Sequence, residues 1–320
     1  MYMFKYIMKR IGLMFLSFFI IMTICFVLIK MLPIVITTGI GQDANLQEEI
    51  IKARGYRDPI IQQYFNYIWR IISRGDFGMG ITMPECVGKP VWEAFITRLP
   101  PTILINVYST LFAVPIGILL GIYAALRKNK IQDHVISTLV IVFISVPSYV
   151  TASVIQYVLC YKLKLFPLTM KEGYDYFSWT MFVSLVPCIL AMSAGSIAGY
   201  ARGTRAELTE VLTSEYLLLA RTKGLTKRQA IFRHALRNAM VPIFPSIIGE
   251  FISVLSGSLI LESIFGIPGV GKMYLASIQS LDYDFFMLLS GFYCLVGLIA
   301  GIVVDISYGL IDPRIRMGAK

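Results

Sequence analysis

The stretch from Gly266 to Met273 comes closest to a known chemical motif. Gly266, Gly271 and Lys272 are spaced as in the phosphate-binding pattern G-x-x-x-x-G-K-[ST], in which backbone N–H groups hold phosphates and the final hydroxyl ligates Mg²⁺. Met273 stands in the position of that hydroxyl and has no oxygen to offer the metal. The sequence therefore predicts a turn here and no nucleotide site.

The other ionisable residues do not form a catalytic set. An enzyme acting inside a membrane needs paired acids, a Ser/His pair or a zinc motif, whereas Glu250 is a lone acid within an apolar run. His134 and His234 are far apart, and the five cysteines form no C-x-x-C pattern. We therefore expect neither a catalytic residue nor a metal site. Two roles stay open for Glu250: it lines a solute pathway, or it is protonated and hydrogen-bonded to a neighbouring helix.

The composition is typical of an integral membrane protein. The chain is 57% hydrophobic and 15% charged, with a mean hydropathy of +0.71, against about 45–50% and about 25% in soluble domains. About 20 apolar residues form a helix that crosses a hydrocarbon core of about 30 Å. Six runs have suitable length, uncharged except for Glu250: residues 11–29, 100–126, 135–161, 176–201, 238–261 and 285–304. The sequence predicts an all-α polytopic protein with six transmembrane helices.

The basic residues indicate the orientation of these spans. The net charge of +10 is concentrated in four segments that would share one side, at residues 5–10, 127–130, 202–237 and 314–320. The segment 34–98, on the other side, has equal numbers of acidic and basic residues. By the positive-inside rule both termini lie in the cytoplasm of a bacterial cell, and the charge reflects topology and lipid contact and not nucleic-acid binding.

The predicted spans divide the chain into four parts. Residues 1–33 hold the N-terminal end and first span, 34–98 form an extracytoplasmic segment, 99–313 form a five-helix core, and 314–320 are a cytoplasmic tail. The core includes one long cytoplasmic loop, 201–239.

Two further local patterns are informative. In the outer segment, residues 46–52 and 58–72 have helical sequences, and residues 75–78 form a turn. Glycines recur at four-residue spacing, at 117/121, 195/199/203 and 297/301. We expect this spacing to allow close helix packing, in preference to a gating role.

The cytoplasmic loop has helical sequence of its own. Ser214 is suited to cap a helix that stops at Gly224, and Thr226 with Gln229 fits a capping box at the start of a second helix. The result is a helix–Gly–helix elbow. Two interpretations stay open on these residues alone: the elbow docks in a cleft on a cytosolic partner, or it is a solvated basic loop that contacts lipid headgroups.

A family resemblance begins at this loop. Residues 219–225, 234–239 and Pro242 closely resemble the cytoplasmic loop of dipeptide/oligopeptide ABC permeases. Importer permeases generally carry E-A-A-x-x-x-G here, of which only Ala220 and Gly224 are present. The resemblance extends along the chain through residues 58–64, 75–78, 98–102, 145–148, 262–271 and 305–314. Departures occur at 32–35, which lack P-G-D-P, and at Thr169, which replaces a glycine.

The resemblance implies the permease bundle of a type I ABC importer. Such a subunit would form half of a peptide pathway beside a second homologous permease, with two cytosolic ATPases that bind ATP and Mg²⁺, an extracytoplasmic solute-binding protein and no cofactor on this chain. It assigns ATPase coupling to Glu215, Ala220, Arg221, Lys223, Gly224, Leu225, Arg233, His234, Arg237 and Asn238. The candidate pathway residues are Glu250, Pro147 and Glu262.

Two alternatives to a peptide importer stay open. The same machine could carry nickel, metal chelates or another small solute, because the external binding protein does most of the selecting. A secondary transporter is the more distant alternative; it would usually show repeated halves, which the single elbow argues against.

Overall fold

The computed structural model describes residues 2–32, 44–171, 173 and 175–311. These residues are mainly helical, and among them the only β pairing consists of two isolated bridges, Met79 with Pro90 and Gly80 with Val87. The predicted tail 314–320, the family pattern at 312–314 and residues 33–35 lie outside the described residues.

The helices follow one another as a series of long spans and short connecting elements. They are α1 (Tyr2–Met31), α2 (Ala44–Ala53), α3 (Ile60–Arg74), α4 (Val91–Leu126), α5 (Ile131–Ser145), α6 (Ser148–Ile155), α7 (Trp179–Leu212), α8 (Glu215–Thr222), α9 (Lys227–Ala230), α10 (Leu236–Ala239), α11 (Ile243–Ser253), α12 (Leu259–Ile264), α13 (Val270–Gln279) and α14 (Tyr283–Ile311). Two π-helical turns, Gln156–Lys162 and Ile231–Ala235, follow α6 and α9.

Four helices are long and apolar enough to cross a bilayer. Their apolar parts are Ile7–Met31, Val91–Leu126, Trp179–Leu212 and Tyr283–Gly309. Each has at least 25 residues, a length above the roughly 20 needed for about 30 Å of hydrocarbon. The predicted spans that begin at residues 11, 100, 176 and 285 are confirmed as membrane-length helices.

The third predicted span, 135–161, is bent and not straight. Ile131–Ser145 and Ser148–Lys162 meet at an angle of 104°. Val146 between them is extended, with φ −79° and ψ 125°. The cause is Pro147, since a proline disfavours helical geometry in the residue before it and has no N–H to donate. Counted as one broken span, this pair makes a fifth membrane segment.

The fifth predicted span, 238–261, is not one helix. Its central piece is α11, whose 11 residues rise about 16 Å, roughly half a hydrocarbon core. Pro242 stands at the N-terminal cap of α11. Beyond the helix, Gly257 has a φ of +64° and turns the chain before α12. The apolar composition of the run predicts a span, but its proline and glycine divide it into shorter helices.

The chain divides into two compact units. The first contains the described residues up to Thr102 with Ser256–Ser263 and Pro268–Ile299. Its core includes side chains from the start of α4, from α13 and from α14, namely Val91, Phe95, Val270, Met273, Phe285 and Leu289. The second unit contains Ile103–Leu255, Ile264–Ile267 and the described residues from Ala300 onward.

The described part of the predicted extracytoplasmic segment, residues 44–98, matches its sequence prediction closely. Both predicted helices exist, as α2 and α3, and Pro59 stands at the cap of α3, one position before its first turn. In the predicted turn, Gly75 and Gly78 have φ of +62° and +98°. The carboxylate of Asp76 accepts a hydrogen bond from the Gly78 N–H at 2.8 Å, which closes the turn.

The glycine spacing has two different outcomes. A Cβ at Gly117 would lie 2.8 Å from the carbonyl oxygen of Ile197, and one at Gly121 would lie 2.6 Å from that of Ala201, so α4 and α7 pack closely there as predicted. A Cβ at residue 195, 199, 203, 297 or 301 would meet no neighbouring atom of the described chain within 4 Å. For these five positions the prediction of close packing is wrong within this chain.

Candidate functional site

The elbow between α7 and α11 has the predicted helix–Gly–helix form. α8 begins directly after Ser214 and ends at Thr222, with Lys223 as its C-terminal cap. The prediction that the Ser214 side chain caps α8 is wrong in detail. Its hydroxyl donates to the carbonyl oxygen of Val211 at 2.6 Å, in the last turn of α7, and is therefore turned away from the α8 backbone.

Gly224 provides the turn between the two short helices. Its φ is +94°, a backbone conformation that residues with a side chain rarely adopt. The residue is exposed, and a Cβ added to it would meet no described atom within 4 Å. The glycine is therefore required by backbone geometry and not by a lack of space.

The second helix starts with the predicted capping box. The Gln229 N–H donates to the Thr226 hydroxyl at 3.3 Å, and the Thr226 N–H donates to the Gln229 side-chain oxygen at 3.0 Å. These reciprocal bonds satisfy two of the N–H groups that a helix start leaves free. The direction in which the chain leaves Gly224 is thereby fixed.

The second helix is wider in its middle than the sequence suggests. After α9 it continues as the π-helical turn Ile231–Ala235 and ends as α10. A π turn inserts one extra residue and shifts the side chains that follow around the axis. Here Ile231 and Ala235 are buried, whereas Phe232, Arg233 and His234 are exposed.

A small apolar core attaches the elbow to the long helices of the second unit. Its buried members come from α4, α7, α8 and the second helix of the elbow, namely Ala125, Leu208, Leu217, Ala230, Ala235 and Ala239. Leu225, beside the turn, packs against this core. Displacement of the elbow would therefore act directly on α4 and α7.

The outer surface of the elbow combines positive charge with exposed apolar side chains. Its exposed basic residues are Arg221, Lys223, Lys227, Arg228, Arg233 and Arg237. Leu218, Leu219 and Phe232 are 62%, 56% and 59% exposed. A cleft of about 190 Å³ lies between α8 and the second helix. Such a surface suits a protein cleft, because three large apolar side chains gain from being covered.

The coupling residues identified from sequence lie together on this elbow. Ala220 and Leu225 are half-buried; the others are exposed, namely Glu215, Arg221, Lys223, Gly224, Arg233, His234, Arg237 and Asn238. That set omits Leu218, Leu219 and Phe232. A signal for two of them is present, since Leu217, Leu218 and Leu219 are consecutive and a helix turns about 100° per residue. Three such neighbours cannot all face one core.

Glu250 lies beside a cavity in the second unit. Its carboxylate accepts a hydrogen bond from the Ser196 hydroxyl at 2.9 Å. The cavity has a volume of about 380 Å³, and its lining includes Glu207, Gly199 and Gly203. Both roles considered for Glu250 thus have a geometric basis, since the carboxyl group is hydrogen-bonded and also reaches open space. Pro147, the second pathway candidate, is exposed at the bend after α5.

Glu262 is enclosed within the first unit. It is 0% exposed, and its carboxylate accepts hydrogen bonds from the Thr102 hydroxyl at 3.0 Å and the Lys272 N–H at 3.1 Å. The Thr102 oxygen in turn accepts a bond from the Val270 N–H at 2.8 Å. The start of α13, which resembles a phosphate-binding loop in sequence, is thus occupied by the protein's own carboxylate and hydroxyl.

The close packing at the start of α13 leaves no room for a phosphate group. A Cβ at Gly269 would lie 2.4 Å from both the Glu262 Oε2 and the Thr102 Oγ1. An anionic ligand would also face the Glu262 carboxyl at close range. Among the described residues, no group of three His, Cys, Asp or Glu side chains could hold a metal ion.

Comparison with known proteins connects this architecture to transport. Residues 3–106 match the N-terminal profile, and residues 117–317 the main profile, of the binding-protein-dependent transport system inner membrane component. The dipeptide transport system permease protein DppB of Bacillus subtilis is 34% identical over 318 residues, 99% of each chain. The oligopeptide transport system permease protein OppB of Salmonella typhimurium is 30% identical over 98% of this chain and 100% of its own.

The fold also has a counterpart among solved structures. The crystal structure of an amino acid ABC transporter with histidines superimposes with a TM-score of 0.50 at 20% identity, over 68% of this chain and 94% of the other. At that identity the likeness concerns the fold. The family profiles cover most of the sequence, and their main match includes the elbow and the helices to which it is attached. The chain belongs to the family of binding-protein-dependent transport system inner membrane components.

Proposed function

We propose that this chain is a permease subunit of an ATP-driven importer and forms half of a translocation pathway for dipeptides or oligopeptides. The observation that supports this most strongly is its similarity, from end to end, to permeases named for dipeptide and oligopeptide transport. A permease named for glutathione transport in Escherichia coli is 29% identical over 98% of this chain. Relatives with peptide cargo favour peptides over nickel or metal chelates.

The elbow at residues 214–239 is the proposed contact with a cytosolic ATPase. Gly224 and the capping box hold two short helices in a fixed relation, and the apolar core beneath them joins these helices to α4 and α7. The exposed leucines of α8 would enter a cleft on the ATPase, with the surrounding basic residues at its rim. ATP and Mg²⁺ would bind to that partner, and movement of the partner would tilt the spans.

The proposed complex also contains a second homologous permease and an extracytoplasmic solute-binding protein. In the bacterial plasma membrane both termini would be cytoplasmic, with six membrane segments if the bent α5–α6 pair and the α10–α12 region each count as one. The exposed basic residues of the elbow support this orientation. A secondary transporter is not favoured, because the elbow has the form of a docking element for another subunit.

Reconstitution tests the proposal directly. The chain would be assembled with its neighbouring permease and ATPases in proteoliposomes, with the binding protein and a radiolabelled dipeptide on one side and ATP on the other. We expect uptake that needs ATP on the elbow side, and no ATP hydrolysis by the purified chain alone. Uptake without nucleotide, driven by an ion gradient, would contradict the proposal.

A cross-link tests the docking contact. A cysteine placed at Leu218 should form a cross-link with the ATPase, whereas one at Lys52, on the outer segment, should form none. If Leu218→Cys forms no cross-link with the ATPase in the assembled complex, the docking role is wrong.

A further inference from the structure

The first unit contains a small cavity with an unusual set of charges. Its volume is about 70 Å³, and it lies among the end of α1, the turn after α2, α3 and the start of α14. Four charged residues line it: Lys30, Arg54, Arg70 and Asp284. Three are basic and one is acidic.

Asp284 is already fully engaged. Its carboxylate accepts a hydrogen bond from the Tyr56 hydroxyl at 2.6 Å and lies 3.5 Å from Arg70 Nη2 and 3.6 Å from Arg54 Nη1. The backbone at Gly78 packs directly against the same carboxylate, since a Cβ there would collide with it. The single carboxylate of Asp284 therefore pairs with two guanidinium groups.

The cationic groups retain donors without acceptors. Lys30 Nζ, Arg54 Nη1 and Arg70 Nε are buried and have no hydrogen-bond partner among the residues that the structure describes. Lys30 Nζ lies over aromatic faces instead, 3.9 Å from the ring centre of Tyr56 and 4.2 Å from that of Tyr283. Aromatic faces attract an ammonium group but accept no conventional hydrogen bond from it. Buried donors of this kind are rare and require a partner.

Among the side chains that line the cavity, basic residues outnumber the single carboxylate, whereas two further carboxylates lie just outside the lining. Guanidinium groups do not lose their protons in proteins, so Arg54 and Arg70 exceed Asp284 by one charge before Lys30 is counted. Asp282, two residues before Asp284, accepts hydrogen bonds from backbone N–H groups, at 2.7 Å from that of Ile81; these groups carry no net charge, so Asp282 keeps its own negative charge. Asp76 is 45% exposed and 3.9 Å from Arg70 Nε, at the rim. Neither carboxylate lines the cavity.

We propose that this cavity binds a small monovalent anion, a halide or the carboxylate of a small solute, through Lys30, Arg54 and Arg70. Water would satisfy the free donors, but an anion would also be attracted by the three basic side chains that converge on the cavity. An anion supplies acceptors together with a charge of the opposite sign. A water needs about 10–15 Å³ of such volume, so the cavity admits chloride or formate and excludes an anion as large as gluconate.

Thermal unfolding in different anions tests the site. The full-length protein, purified in lipid nanodiscs, would be followed by tryptophan fluorescence while chloride or formate replaces gluconate at constant ionic strength. We expect the unfolding midpoint to rise and saturate with either anion. In Lys30→Met the half-saturating concentration should increase at least tenfold, because the anion loses one donor and one charge.

Matched variants separate the site from general salt effects. Lys52→Met removes a lysine that is exposed on α2, and it should keep the wild-type anion response. Arg54→Gln gives a second test if Lys30→Met does not fold. A response to chloride alone would assign the site to halides, and a response to formate alone to carboxylates. The absence of a saturable rise, or a wild-type response in both cavity variants, would overturn the proposal.

Discussion

At the scale of single residues, Gly224 has the most restricted role. Its φ of +94° is open to glycine and strained for residues with a Cβ, although the space around it is free. A left-handed conformation costs such residues about 1–2 kcal/mol. Gly224→Val would relieve that strain by redirecting the elbow, so we expect ATP-driven uptake to fall several-fold while membrane insertion is normal. Transport by the reconstituted complex measures this.

Gly75 offers the matched control for that substitution. It also has a positive φ, +62°, and a Cβ added to it would meet no described atom within 4 Å, but it lies in the outer segment. Gly75→Val should therefore carry similar backbone strain and leave coupling to the ATPase intact. Equal uptake by Gly224→Val and the wild type would contradict the docking role of the elbow.

Glu250 can be tested by removing its charge and keeping its shape. If the carboxylate lines the pathway for peptides with a free ammonium end, Glu250→Gln should reduce their uptake several-fold and affect N-acetylated peptides less. The Ser196 hydrogen bond can persist with the amide oxygen, so folding should be little changed. Competition uptake assays with the two peptide types give the comparison. Glu210, exposed on α7, provides the control variant Glu210→Gln, and identical behaviour of both variants would exclude the pathway role.

At the scale of elements, the capping box stabilises the second helix of the elbow. Thr226→Ala removes the hydroxyl that accepts the Gln229 N–H, and loss of a cap costs about 1 kcal/mol. Amide hydrogen exchange over residues 227–236 should therefore accelerate about fivefold. Thr222→Ala is the control, because that hydroxyl donates back to Leu219 within α8 and caps nothing. Unchanged exchange in Thr226→Ala would mean that the box does not hold the helix.

The turn at Gly224 and the capping box after it can be predicted from sequence, whereas the Ser214 cap is predicted wrongly and the breaks within the spans cannot be predicted. Gly224 and the Thr226–Gln229 pair depend on a few neighbouring residues, so their pattern is sufficient. The bend before Pro147 and the division of residues 238–261 depend on whether neighbouring helices satisfy the freed backbone groups. Apolar composition is the same for a straight span and a broken one. It therefore predicts the position of these segments but not their geometry.

The candidate site shows the same division between local and tertiary information. The basic residues of the elbow are recognisable in the sequence, but the exposure of Phe232, which lies in the π turn, is seen only in the fold. Likewise, Met273 alone argues against a phosphate-binding loop at α13, whereas the actual partner of that loop, Glu262, can be found only from the fold. Sequence identifies which residues carry chemistry; packing decides which of them meet.

At the scale of the whole molecule, the proposed mechanism requires opposite sides for two parts of the chain. The elbow must face the ATPases in the cytosol, and the outer segment must face the solute-binding protein. In a variant without the five native cysteines, Lys52→Cys and Lys223→Cys give matched single thiols in exposed positions. In intact cells a membrane-impermeant maleimide should label Lys52→Cys and reach Lys223→Cys only after permeabilisation. Charge asymmetry gives the physical reason, because translocation of the basic elbow would violate the positive-inside rule. Labelling of Lys223→Cys in intact cells would place the elbow outside, away from any source of ATP, and the coupling mechanism would be wrong.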